Sequence, residues 1–322
     1  MITECSFDGL PAWRIEEEGA TALIAARGAT LLSWDPGVGE SLIAGFESAD
    51  ELLDGKGSRA AILAPFPGRI SGGSFTFSGR EVHLETKADG HARHGFISKA
   101  TFTRADDGPI LRLKTDYDGS GDWPWPFTFY VIYTLTRGEE NEAHLTIDME
   151  LVNDADEPAP ASLGWHPLLR LPGMETNAKL SVSIPARMKI ATTKDHVPLP
   201  GEAAYAGMPH PVRIDYLGKT VLDDIYTGLI PTEDGTVHST MSDPVSGAKL
   251  MLTQEPAQAP VLIAWTADGM ARGERRALAL EPLSHIPDAV NRADCQDTIA
   301  LAPGQMREMT ATLTYCPPVP EL

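Results

Sequence analysis

His166, in the stretch SLGWHPLLRLPG spanning 162–173, is the first residue in this chain whose setting suggests chemistry. An imidazole between a tryptophan and a proline, inside an otherwise apolar run, serves either as a polar plug in a core or as a proton carrier near neutral pH. A proton carrier needs a partner carboxylate and a molecule to act on. Among the carboxylates, Glu281 ends the apolar run ALAL and precedes Pro282. Arg69 after APFPG, His94 before Gly95 and Phe96, and Asp223 and Asp224 after Val221 and Leu222 are further polar residues in apolar or turn-rich contexts. Each also has an ordinary structural reading. A strand-end glutamate is commonly solvated, and Leu-Asp-Asp commonly makes an Asx turn. His91 and His94 have a spacing that suits a metal, but a site needs three or four ligands and nothing nearby completes the set, so no metal is expected. There is no GxGxxG after a strand, no GxxxxGK[ST] and no GxSxG, which leaves no motif for a nucleotide or a nucleophilic serine.

The elements that must position these residues read as strands. HLTIDMELVN sets Leu145, Ile147, Met149 and Leu151 on one face and Thr146, Asp148 and Glu150 on the other, the period-two pattern of a half-buried strand. FTFYVIYTLT precedes it, joined by RGEENE as a hairpin connection. SFTFSGREVHLE predicts a second hairpin turning at Ser78 and Gly79, and KLSVSIPA, KLMLTQE, VLIAWTA and MTATLTY continue the pattern. Helical signals are few: SADELLDG, with Ser48 as cap and Gly55 as stop, and a turn or two in PDAVNRAD. The 26 prolines and 29 glycines are spread along the chain, with no repeat and no linker. Many short strands between turn residues predict an all-β fold, a large antiparallel β-sandwich forming a single domain over residues 1–322.

Composition narrows the partners. The net charge of −19 argues against nucleic acid and anionic membranes, both of which select basic surfaces. No apolar run approaches the ~20 residues of a membrane span. The first residues, MITECSFDGLPAWRIEEEGA, lack a basic segment followed by an apolar one, so no signal peptide is expected. Cys5, Cys295 and Cys316 are odd in number and scattered, which fits a reduced, cytoplasmic setting.

Taken in chain order, PFPGRI, HGF, WHPLLRLPG, LDDIYTG and LEPLSHIPDAVN resemble the landmarks of the aldose 1-epimerase (galactose mutarotase) family, from about Ala60 to the closing LAPGQMREMTATLTY. The HP…LPG and EP…PDAVN segments are the most specific. The resemblance implies a one-domain supersandwich, no metal or organic cofactor, and interconversion of the α and β anomers of a free aldose. It implies Glu281 as general base and His166 as general acid, with Arg69, His94 and Asp223 as ligands of sugar hydroxyls. Asp223 is favoured over Asp224 because it keeps the family's distance to the aromatic position, here Tyr226. Trp165 and Phe96 are candidates to stack on the sugar's apolar face, although both also suit a core. Trp13, Trp34, Trp123, Trp125 and Trp265 are expected to be packing residues.

The chain departs from the family pattern twice. Gly68 stands where PxxNRI has asparagine, and His91, a possible further substrate contact, stands where many members have asparagine before the HG histidine. Both changes bear on substrate choice. Two other activities share the fold: hexose-6-phosphate 1-epimerase, and a sugar-binding module without catalysis. Retention of both Glu281 and His166 argues against the module. A hydrolase would need two carboxylates flanking the glycosidic bond, and only one occurs in a matching motif. The basic residues nearest the motifs beyond Arg69 are Arg93 and Arg170, a thin set for a phosphate, so a neutral aldose is expected, handled by a monomer or homodimer.

Overall fold

The computed structural model describes residues 1–318, and strands dominate it. Phe127–Arg137 and Ala143–Asn153 pair antiparallel with Tyr133 opposite Ile147, and a single 3₁₀ turn at Glu139–Asn141 joins them. Leu145, Ile147, Met149 and Leu151 are buried, as their alternation requires. These two strands belong to a nine-stranded sheet with Met306–Cys316 at its centre, which also holds Ser181–Ile184, Val237–Ser242 and Lys249–Gln254.

A second, eight-stranded sheet holds the candidate residues His166, Asp223 and Glu281. In it Ala186–Ile190, Asp223–Leu229, Val261–Trp265, Leu278–Leu283, Gly164–His166 and Ala61–Leu63 lie side by side in that order. Its Leu262, Ala264, Leu278 and Leu280 join the same apolar cluster as Phe129, Val131 and Tyr133 of the nine-stranded sheet, so the two sheets share one sandwich core. The opposite face of the Leu278–Leu283 strand holds Ala279, in a small separate cluster with Leu168, Ala267 and Ala277. One face of this sheet thus completes the core and the other is free to build a site. A four-stranded meander over Ile2–Phe7, Leu10–Glu17, Ala20–Ala25 and Leu31–Asp35 adds Trp13, Ile24 and Trp34 to the large core.

Local signals also hold. The Ser74–Phe77 and Arg80–His83 strands turn at Ser78 (φ 49°) and Gly79 (φ 80°), the paired positive φ values of a tight hairpin turn. The Ala49–Asp54 helix has Ser48 accepting from the Glu51 amide and Gly55, left-handed, donating to the Glu51 carbonyl. In PDAVNRAD there is one 3₁₀ turn, Ala289–Asn291, and a short helix follows at Gln296–Ile299, where no helix is expected. No helix among the described residues is long and apolar enough to cross a membrane.

Candidate active site

The Gly164–His166 strand lies against Leu278–Leu283 with Gly164 opposite Leu283, and beyond Pro167 the pairing resumes with Leu168 opposite Ala279. Both pairs keep one register, so His166 falls opposite Glu281. Pro167 has no amide hydrogen for the ladder, which accounts for the interruption. Opposed residues project from the same face of a sheet, and the result is direct contact: His166 Nε2 lies 3.3 Å from Glu281 Oε1, with only 8% and 3% of the side chains exposed. The His94 and Trp265 rings meet the His166 imidazole edge-on, at centroid distances of 5.7 and 5.9 Å.

This pair lines a cleft of about 290 Å³, close to the lower end of the roughly 300–1,000 Å³ common for small-molecule sites. Its floor follows sheet register: Ile225 pairs with Ile263, and Ile263 with Glu281, while Asp223 pairs with Trp265 in the next row. Along the Asp223–Leu229 strand, Asp223 and Ile225 face the cleft. Asp224 and Tyr226 take the other side, where Asp224 binds Lys189 at 2.6 Å and accepts from the Tyr226 hydroxyl at 3.2 Å. Asp224 is therefore tied up outside the cleft, and Asp223 stands inside it.

The adjoining wall comes from a two-residue ladder in which Arg69 pairs with Arg93. Asp89 binds both guanidiniums, accepting from Arg69 Nε at 3.1 Å and from Arg93. Burial alone would raise the Asp89 carboxyl, but the two arginines prevail and hold it well below the usual carboxylate range. Both arginines are thereby fixed at the rim. His94, left-handed at φ 63°, accepts at Nδ1 from the Gly68 amide (3.2 Å) and donates its own amide to the Gly68 carbonyl (2.8 Å). With Nδ1 accepting, the hydrogen of a neutral His94 sits on Nε2. Gly68 is itself at φ 65°, and a β-carbon there would lie 2.5 Å from Pro287 Cγ. Pro287 thus fills the space a side chain at position 68 would need.

Electrostatics favour uncharged forms at the centre. Burial lowers His166 to about 4, with the positive charge of Arg93 adding to the effect. Burial and the nearby Asp223 carboxylate raise Glu281 well above the usual carboxylate range. His94 is held well below its ordinary value by burial and by the neighbouring His166, Arg93 and Arg69. Asp223, although 47% of its side chain is open to the cleft, is raised by the surrounding protein and pulled back down by His196, Arg69 and Arg93.

The cleft gathers Glu281, His166, Arg69, His94 and Asp223. Three other candidates stand elsewhere. Trp165 is wholly buried in the sandwich core, because period two turns it away from the face that presents His166. Phe96 packs on Tyr117 and Phe127 at 4.7 and 6.0 Å, outside the cleft. His91 accepts from the Gly72 amide at 3.2 Å and does not line the cleft. Trp265, expected as packing, is the aromatic wall instead. Its signal was present in VLIAWTA, where it shares a strand face with Ile263. His196 and Asp268 also line the cleft, and no motif marks either. Arg170 pairs with Glu40 at 3.6 Å and is not in the cleft wall. Among the described residues, no three of His, Cys, Asp and Glu are gathered to hold a metal ion.

Known proteins resemble this chain over most of its length. The family model described as aldose 1-epimerase matches residues 11–315. An Escherichia coli K12 protein named uncharacterized protein YphB is 25% identical over 250 residues, 76% of this chain and 79% of its own. A galactose 1-epimerase from Lactobacillus acidophilus superposes with a TM-score of 0.77 at 17% identity, covering 98% of each chain. A galactose mutarotase-like protein from Clostridium acetobutylicum gives 0.80 at 15% identity, covering 97% of each. At such identities the structural likeness carries the fold.

Proposed function

The chain belongs to the aldose 1-epimerase family, and from that premise we propose that it interconverts the α and β anomers of a free aldose by opening and reclosing the ring. The observation that carries the reading is the buried His166–Glu281 contact of 3.3 Å at the floor of a polar cleft. Ring opening moves two protons. Glu281 takes the hydrogen of the anomeric O1 hydroxyl as the C1–O1 bond becomes a carbonyl, and His166 gives a proton to the ring oxygen O5 as the C1–O5 bond breaks. Rotation about C1–C2 and reclosure with the roles reversed deliver the other anomer. Arg69, His94 and Asp223 would hold the remaining hydroxyls.

The protonation states suit this exchange. The pair shares one proton, held either as neutral acid and neutral imidazole or as carboxylate and imidazolium. Ring opening starts from the charged form and ends in the neutral one. Burial raises Glu281 and lowers His166, so the site favours the state that ring opening produces. Anomerisation of a panel of free aldoses, followed by polarimetry and NMR, tests the proposal. Absence of any acceleration over the uncatalysed reaction would defeat it.

A second reading, hexose-6-phosphate 1-epimerase, draws on an adjoining cavity of about 600 Å³ that shares Arg93 and His94 with the cleft. It carries Arg27, Lys56, Lys87 and Lys99 besides Arg93, against Asp54 and Asp89. Lys56 is taken by Asp54 and Arg93 by Asp89. The neutral aldose remains the first choice because Asp89 already binds both cleft arginines. Comparing kcat/KM for glucose with that for glucose 6-phosphate decides between them. A preference for the phosphate that Lys99→Ala removes would establish the second reading.

A further inference from the structure

His196 belongs to none of the motifs, yet it lines the cleft with its Nε2 3.4 Å from Asp223 Oδ2. Its backbone is left-handed at φ 59°, as at other turn residues of this chain such as Ser78 and Asn141. The turn that holds it is well made. The Thr193 carbonyl accepts from the His196 amide at 3.1 Å, Thr193 donates to the Val197 carbonyl at 2.8 Å, and Thr193 Oγ1 accepts from the Asp195 and Val197 amides at 3.3 Å. Further along, Arg292, only 5% exposed, donates to the carbonyls of Leu199 and Gly201 at 2.7 and 2.9 Å, which ties the loop to the body of the protein.

The position of this loop defines what it can touch. Asp223 stands two strands from the strand of Glu281, roughly 10 Å at ordinary strand spacing. A pyranose with its anomeric carbon between Glu281 and His166 would therefore turn its opposite edge toward Asp223. His196 occupies one Asp223 oxygen, and 47% of that side chain stays open to the cleft. We propose that His196 is a specificity-determining residue, forming with Asp223 a clamp for two adjacent hydroxyls on the sugar edge remote from the anomeric carbon. The clamp rests on the mutarotase reading for the orientation of the sugar. With the Nε2 hydrogen donated to Asp223, Nδ1 of a neutral His196 and the open Asp223 oxygen each accept from a hydroxyl, which suits a vicinal diol of one configuration and penalises its epimer.

The test compares wild type, His196→Ala and His196→Gln on glucose, galactose and deoxyglucoses lacking the 3- or the 4-hydroxyl. His196→Ala should raise KM for the preferred parent sugar about twofold to tenfold, the effect of one lost hydrogen bond between neutral groups, and leave kcat nearly unchanged. The deoxy sugar lacking the clamped hydroxyl should show the same KM with wild type and variant, and His196→Gln should recover part of the loss. A uniform rise in KM across every sugar, a fall in kcat alone, or no change would overturn the clamp. Should wild type turn over none of these sugars, the mutarotase reading fails. The clamp is then judged separately, by the same pattern in dissociation constants from NMR titration.

Discussion

Replacing Glu281 by Gln separates proton transfer from every other property of the site. The side chain is 3% exposed and touches His166 Nε2 at 3.3 Å, so an amide of the same shape fits and donates a hydrogen bond to that nitrogen. It cannot accept the O1 proton. General-base catalysis contributes about 10²–10⁴ in rate, which corresponds to about 3–5 kcal/mol of barrier. The same change should leave stability intact or raise it at pH 7. The folded-state pKa of Glu281 is raised, so its contribution to stability is complete only below the unfolded value and declines as pH rises through the folded one. At neutral pH the wild-type carboxyl is thus a burden that the amide lifts. The assay dissolves crystalline α-galactose and follows optical rotation, subtracting the uncatalysed drift, with thermal melting run alongside. Turnover close to wild type in a folded variant refutes the assignment of Glu281 as base.

Other consequences are equally direct. His166→Asn should collapse kcat while changing sugar affinity little, and loss of affinity with full rate at saturation would make His166 a ligand instead. Because burial lowers His166 to about 4, the acid limb of kcat/KM should fall near that pH, well below the ordinary histidine range; a limb near 6.5 would place the titrating group elsewhere. Gly68→Ala should damage both folding and activity, since its β-carbon meets Pro287 Cγ at 2.5 Å and φ there is 65°; a fully active, equally stable variant would show that Pro287 yields. Exhaustive EDTA treatment should leave the rate unchanged, and a loss restored by zinc or manganese would revive a metal role for His91 and His94.

Much of this protein was legible in one dimension because β-structure writes its faces into the chain with period two. The alternation in HLTIDMELVN identified Leu145, Ile147, Met149 and Leu151 as core, and Ser48 with Gly55 bounded the Ala49–Asp54 helix. Five ordered motifs sufficed to nominate the Glu281, His166, Arg69, His94 and Asp223 that meet in the cleft. What local pattern leaves open is which face of a doubly buried strand turns toward the core. GWH is buried throughout, so only the register against Leu278–Leu283 showed that His166 faces Glu281 and Trp165 the core. The neighbouring strand settled Trp265 in the same way, placing it across from Asp223. His196 reaches the cleft through a turn that belongs to none of the strands carrying the other site residues, and the space Pro287 takes beside Gly68 arises between segments over two hundred residues apart. Contacts of that kind depend on where sheets bring distant loops together, and residue types and spacing carry no trace of them.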